Sequence, residues 1–199
     1  ATLAAARSVS LPPASPDYTS SYQATINTNL GKIVLNLLNS KATCTVNSFV
    51  HLAEAGYFTN TQCHRLLTSG IYVLQCGDPY ATATTKLTCS TTGKIGTGGP
   101  GYDFASENLT GATYPAATVA MANSGTANSN GSQFFIVYKD STSGLGASYT
   151  PFATVSSGLD IVQNVAKKGY SCQYIQSGRS SGGAPNDKVI IDSVTIKKA

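Results

Sequence analysis

The chain has 199 residues, 41% of them hydrophobic, so it can bury a core and is not globally disordered. Only 11% are charged and the net charge is +4, with no Lys/Arg cluster of the size a phosphate-binding stripe needs, which argues against a nucleic-acid partner. No apolar stretch approaches the roughly 18 residues of a membrane span, and the dominant polar residues (Ser, Thr, Asn, Gly, Tyr) suit short strands joined by turns.

Residues 1–21 are rich in Ala, Ser and Pro, without a sustained period or the continuous apolar core of an intact signal peptide. They read as a flexible tail or linker ahead of a domain spanning 22–199. YQATINTNLGKIVLNLL reads as a hairpin turning at Asn29, Leu30 and Gly31. In TCTVNSFVHLAEAGYF, Val46, Phe49, Val50 and Ala53 fall at i, i+3, i+4 and i+7. That predicts a helix capped by Thr43 or Thr45 and stopped at Gly56, with His51 facing solvent. CHRLLTSGIYVLQCGD reads as strand, turn at Ser69-Gly70, strand. The chain is loop-like from Asp78 to Gly101, ending in GTGGPG, which lacks the following Lys-Ser/Thr and helix of a phosphate loop. ATVAMAN, QFFIVY and PFATV are short buried strands. A second helix follows in SSGLDIVQNVAKKGY, capped by Ser157 and striped by Leu159, Val162 and Val165 or Ala166; KVIIDSVTI is the last strand.

Strands that do not alternate with helices exclude a parallel α/β sheet. The expected fold is mainly β: a closed eight-stranded antiparallel barrel capped by two α-helices.

Chemistry has few footholds. There is no G-x-S-x-G elbow, the nine carboxylates are scattered, and five cysteines without a CxxC pair argue against a zinc ribbon or thioredoxin-like site. Neither a metal nor a cofactor is expected. What stands out is Arg65, a charge inside an otherwise buried strand, where its donors need partners. Gln75 lies on the partner strand, and Gln133 immediately precedes Phe134 and Phe135. An Arg and two Gln among Tyr72, Met121 and Phe135 describe an apolar pocket with a few placed donors, suited to polarising or distorting a bound group.

CHRLLTSGIYVLQCGD, GTGG, MANSGTANSNGSQFFI and PFATV together resemble the cyclophilin family of peptidyl-prolyl cis–trans isomerases, from about Gln23 to Lys197. The resemblance implies an eight-stranded barrel capped by two helices, and catalysis by Arg65 supported by Gln75. It implies substrate binding by Tyr72, Val73, Ala122, Asn123, Gln133, Phe135, Leu145 and Tyr149. Tyr72 and Val73 stand where the family usually has Phe and Met, and Tyr149 where it often has His. The family's Trp is replaced by Gly144, so only weak cyclosporin binding is expected. The implied partners are proline-containing peptides and unfolded or folding proteins, with the enzyme a monomer. A non-catalytic proline-peptide binding module on the same fold is the alternative.

Cys63 and Cys76 then lie opposite one another on a hairpin and are disulfide candidates. Cys89 and Cys172 lie in loops that the family fold would bring to one side, leaving Cys44 as the odd thiol. Such bonds point to an exported or membrane-anchored bacterial cyclophilin working outside the cytoplasm, secreted or held at the cell surface by an N-terminal segment beyond this chain.

Overall fold

Alternation builds the first hairpin. In β1 (Tyr22–Thr28) and β2 (Gly31–Leu37), Ala24, Ile26, Ile33, Leu35 and Leu37 are buried, while Gln23, Lys32 and Asn36 lie exposed between them. The computed structural model describes residues 7–87, 94–176 and 179–199, with backbone alone from 172 to 181. Helix α1 (Thr43–Glu54) buries Val46, Phe49, Leu52 and Ala53. Phe49 packs against Phe58, Phe134 and Phe152, with centroids 5.3, 5.6 and 5.1 Å away. The expected Thr43 or Thr45 cap is not used: the N-cap is Ala42. Its work is done by a distant residue, Glu107, whose carboxylate accepts the N–H groups of Cys44 and Thr45 at 3.1 and 2.8 Å. A negative charge at a helix N-terminus satisfies orphan donors and the helix dipole together.

Next come β3 (Thr61–Gln62), β4 (Arg65–Ser69), β5 (Ile71–Cys76), β6 (Thr118–Met121) and β7 (Phe134–Val137). They are followed by α2 (Thr142–Leu145), β8 (Pro151–Ser157), α3 (Leu159–Lys168), β9 (Tyr170–Gln176), β10 (Arg179–Pro185) and β11 (Ile190–Lys198). All strands join one sheet in the order β3-β11-β1-β2-β8-β6-β7-β5-β4-β10-β9. The two distant parts of this order meet in one bent segment. Cys63 N–H donates to Val189 O beside β11, and His64 N–H donates to Gln75 O in β5. The backbone changes partner between adjacent residues, so β3 and β4 curl the sheet back on itself.

The mainly β, few-helix architecture is the expected one, with four differences. β3 is the short half of that bend. β9 and β10 form an additional hairpin whose RSSGGAP strand offers no alternation to read. A single-turn helix, α2, precedes β8, and the cap of α3 is Gly158 at φ 87, not Ser157. Gly158 has no room for a side chain, since a Cβ there would be 3.0 Å from Ile33 Cα.

Residues 7–21 lie along α1 rather than free of it. Arg7 Nη1 donates to Tyr57 O and Thr59 O at 2.6 and 2.8 Å, Asn47 Nδ2 to Pro13 O at 2.9 Å, and Asn39 Nδ2 to Asp17 O at 2.7 Å. Val9 packs on the core. His51, expected to face solvent, is half-buried under this segment and donates from Nε2 to Ser10 O at 2.9 Å.

Candidate active site

The site is a consequence of register. Arg65 pairs with Gln75, Gln75 with Phe135, and Phe135 with Ala120, a single row across β4, β5, β7 and β6. The next row is Leu67, Val73 and Val137. Since side chains alternate, Leu66, Leu74, Phe134 and Ile136 enter the core while these two rows share the opposite face. There Leu67, Val73, Tyr114, Ala120, Phe135 and Val137 form a second apolar cluster, flanked by half-buried Ile71, Ala122, Leu145 and Tyr149.

The slot is held rigidly. Phe135 and Tyr149 meet edge to face with centroids 5.5 Å apart. Beneath them Tyr114, fully buried, donates from its hydroxyl to Tyr149 O at 2.7 Å and accepts Tyr149 N–H at 3.0 Å. Gly144 abuts the slot, where a Cβ would stand 2.5 Å from Ile71 Cγ2 and 2.7 Å from Gly70 O. A larger residue, the family's Trp included, does not fit on this backbone.

Two residues expected at the pocket are misplaced: Met121, paired with Phe134, enters the core, and Tyr72 turns away from the slot. Tyr72 pairs with Thr68, one residue out of step with Val73, and so belongs to the other face. Its ring meets Tyr138 at 6.0 Å and lies 4.4 Å from Lys139 Nζ. Ile71, of Val73's parity, takes the wall position.

Polar groups line the other side of the Arg65 row. Arg65 Nη1 donates to Gln75 Oε1 at 3.4 Å, and Gln75 Nε2 to Gln133 Oε1 at 2.9 Å. Gln133 Nε2 donates to Gly96 O and Gly98 O at 3.0 and 2.9 Å. Gln133 thus steadies Gln75, which orients Arg65. Met121 N–H goes to Thr150 O and Ala122 N–H to Gln133 O, and there the ladder ends. Asn123 follows, its side chain donating to Ser148 O at 2.9 Å and accepting Gly125 N–H at 3.0 Å. It borders a cavity of about 290 Å³ that Gln75, Gly98, Asp103, Ser129 and Gln133 also line.

Three further features frame the row. A disulfide joins Cys63 and Cys76, immediately before His64-Arg65 and immediately after Gln75, as the hairpin pairing anticipated. Cys44 is free and exposed; the Cys89–Cys172 pairing lies outside the described residues. His64 is buried, which pushes its pKa down to about 3, with the Arg65 charge adding to the effect, so the ring is neutral near pH 7. Asp78 is fully buried; burial raises its pKa, opposed by hydrogen bonds from the backbone N–H groups of Gly96, Tyr80 and Gly98.

Neither Tyr114 nor Asp78 was assigned a role from sequence. Asp78 had a signal, since it closes the QCGD motif; Tyr114, in an irregular loop, had none. Among the described residues no group of three or more His, Cys, Asp or Glu could hold a metal ion, and no helix is long and apolar enough to cross a membrane.

An apolar slot on the outer face of a curled antiparallel sheet, rimmed by an arginine held by a glutamine chain, has the shape and donors to accept a small apolar group beside an amide. Residues 23–196 match the family described as cyclophilin type peptidyl-prolyl cis-trans isomerase/CLD, and the chain belongs to that family. It is 43% identical over 183 residues to a probable peptidyl-prolyl cis-trans isomerase B of Mycobacterium tuberculosis, a match covering 85% of this chain and 52% of that protein. The corresponding protein of Mycobacterium leprae is 43% identical over 187 residues, covering 87% of this chain and 56% of that one. The chain thus spans about half the length of these relatives. A crystal structure of a Cryptosporidium parvum cyclophilin type peptidyl-prolyl cis-trans isomerase superimposes with a TM-score of 0.70 at 25% identity, covering 89% of this chain and 98% of that one. The same enzyme in the presence of the dipeptide Ala-Pro gives 0.68 at 26% identity, covering 88% and 98%.

Proposed function

We propose that this domain catalyses cis–trans isomerisation of X–Pro peptide bonds in folding proteins. One observation carries the reading: an oriented guanidinium stands in register with Phe135, at the rim of a rigid apolar slot. Amide resonance sets a rotation barrier of about 18–20 kcal/mol, and X–Pro isomers exchange in tens to hundreds of seconds unaided. In the twisted state the prolyl nitrogen regains its lone pair and accepts a hydrogen bond that neither planar isomer can. A donation from Arg65 to that nitrogen favours the transition state alone, which is the requirement for catalysis. A rate gain of about 10⁵ corresponds to about 7 kcal/mol, shared among this bond, ring burial and desolvation.

The proline ring sits against Phe135, Val73, Ile71 and Leu145. The substrate backbone pairs with Asn123, one residue beyond the end of the ladder, as a short added strand. The preceding residues extend over the glutamine side toward the cavity at Asn123. The blocked space at Gly144 supports weak cyclosporin binding. The Cys63–Cys76 disulfide supports a non-reducing, extracytoplasmic setting, with exported proteins as clients.

The test is exchange NMR or a protease-coupled assay on an X–Pro peptide, wild type beside Arg65→Ala. We expect acceleration by the wild type and a loss of about 10²–10³-fold in the variant. Equal rates would sink the catalytic assignment. Binding without acceleration by the wild type would make the domain a proline-peptide binding module.

A further inference from the structure

We infer that Asp78 is a positioning residue for Arg65, acting through the 96–98 loop and the side-chain amides of Gln133 and Gln75. The inference rests on the reading of Arg65 as the catalytic group. Its first observation is a buried carboxyl group without an obvious task. Asp78 is fully buried, and nothing about packing requires a carboxylate there. Its oxygens are committed to backbone: Oδ1 accepts Tyr80 N–H at 2.9 Å, Oδ2 accepts Gly96 N–H, and Gly98 N–H is a third donor. Gly98 is pressed so closely on the carboxylate that a Cβ there would collide with Oδ1 and stand 2.8 Å from Pro79 Cδ. One carboxylate therefore fixes both ends of a three-residue loop.

The second observation is what that loop presents. Gly96 O and Gly98 O both face Gln133 Nε2, at 3.0 and 2.9 Å. Two carbonyl acceptors determine which end of the amide points at the loop, because only the NH₂ end can satisfy them. Gln133 must then turn its oxygen toward Gln75. Gln75 must turn its NH₂ toward Gln133, at 2.9 Å, and its own oxygen toward Arg65. The polarity of the chain is set at the loop end and read at the guanidinium end. If the loop is released, Gln133 is free to turn over. Gln75 then follows, and its NH₂ meets the Arg65 donors instead of an acceptor. Position and direction of the catalytic donor are thus determined at a residue that touches no substrate.

Asp78→Asn in the full 199-residue chain tests this, because it keeps the shape but sets an NH₂ against one of the loop N–H groups. In the X–Pro assay we expect kcat to fall about tenfold with KM within twofold, the signature of an interaction made in the transition state. In the Arg65→Ala background the same substitution should change kcat/KM less than twofold, since its route to the reaction is gone. An equal loss in both backgrounds, or wild-type kcat in Asp78→Asn, overturns the inference. Should Asp78→Asn not fold, Gly96→Ala strains the loop at φ 89 without touching the carboxylate. The same comparison then applies, with a several-fold loss expected and equal losses in the two backgrounds again refuting the idea. If the wild type accelerates no X–Pro peptide, the activity reading has failed on its own. The relay is then read from the side-chain amide resonances of Gln133 and Gln75, which should shift in either loop variant; unchanged resonances refute it.

Discussion

The β1–β2 hairpin and the β5–β7–β6 ribbon belong to one sheet yet treat their outer faces oppositely. In β1 and β2 the outward positions carry Gln23, Thr25, Lys32 and Asn36, half-buried or exposed, as a strand with one wet face should. In β6 and β7 all four residues of each strand are buried, Thr118–Met121 and Phe134–Val137. Their outer side chains are covered in part by the chain between Ala112 and Tyr149, and the uncovered remainder is the slot. Two adjacent strands buried on both faces, in a sheet whose first hairpin is wet outside, thus point to the site before any polar residue is considered. Arg65 and Gln75 sit where the two regimes meet.

This contrast can be broken in graded ways. Phe134→Ala, on the inner face, should cost about 3–5 kcal/mol of stability, since Phe134 is fully buried among Phe49 and Phe58; chemical denaturation measures it. Replacing both Cys63 and Cys76 by Ala should cost about 3 kcal/mol for a loop this short, with Tm falling accordingly. Phe135→Leu, the neighbour of Phe134 on the opposite face, should reverse the pattern. We expect about a tenfold loss of kcat/KM and a stability cost near 1 kcal/mol. Acid should act through the inner face. His64 titrates near 3 in the fold against 6.5 ordinarily, so the unfolded chain takes up its proton first as pH falls. The stabilisation is fully present above about pH 6.5 and declines toward pH 3 by at most about 1.4 kcal/mol per unit. A denaturation midpoint flat between pH 6.5 and 4 would contradict this. Thr25→Ala, on the wet face, should change stability by less than about 0.5 kcal/mol and leave turnover alone.

Much of this was legible in the sequence because it is local. Strand alternation, the Asn29-Leu30 and Gly70 turns and the apolar stripe of α1 follow from spacing, while Arg65, Gln75 and Gln133 stand out as polar groups beside apolar runs and owe their expected roles, with that of Phe135, to the family resemblance. What sequence reading missed depends on parts distant along the chain. Glu107 caps a helix more than fifty residues earlier. The glutamine chain ends on Gly96 and Gly98, whose grip on Asp78 is written in neither segment alone. Tyr72 was misassigned for a subtler reason: the motif shows which residues are present, but parity along the paired strands decides which face each reaches. The β10 half of the β9–β10 hairpin, RSSGGAP, lacks the periodic apolar residues that would announce it.

The bend between β3 and β4 has a consequence for the order of events in folding. Thr61 pairs with Ile191 and Tyr22 with Lys198, so the ladders beside the bend use residues from the far end of the chain. Arg65 follows that bend by only three residues past Gln62. Contacts of such sequence separation form late. During synthesis the hairpin bearing Arg65 and Gln75 can exist long before β11 emerges, held by the Cys63–Cys76 disulfide and the His64–Gln75 backbone bond, but the Cys63 bond to Val189 forms only when the last strand arrives. A chain without β11 would keep the pairings of the active row among β4, β5, β7 and β6 but lose the anchor on the bend that precedes Arg65.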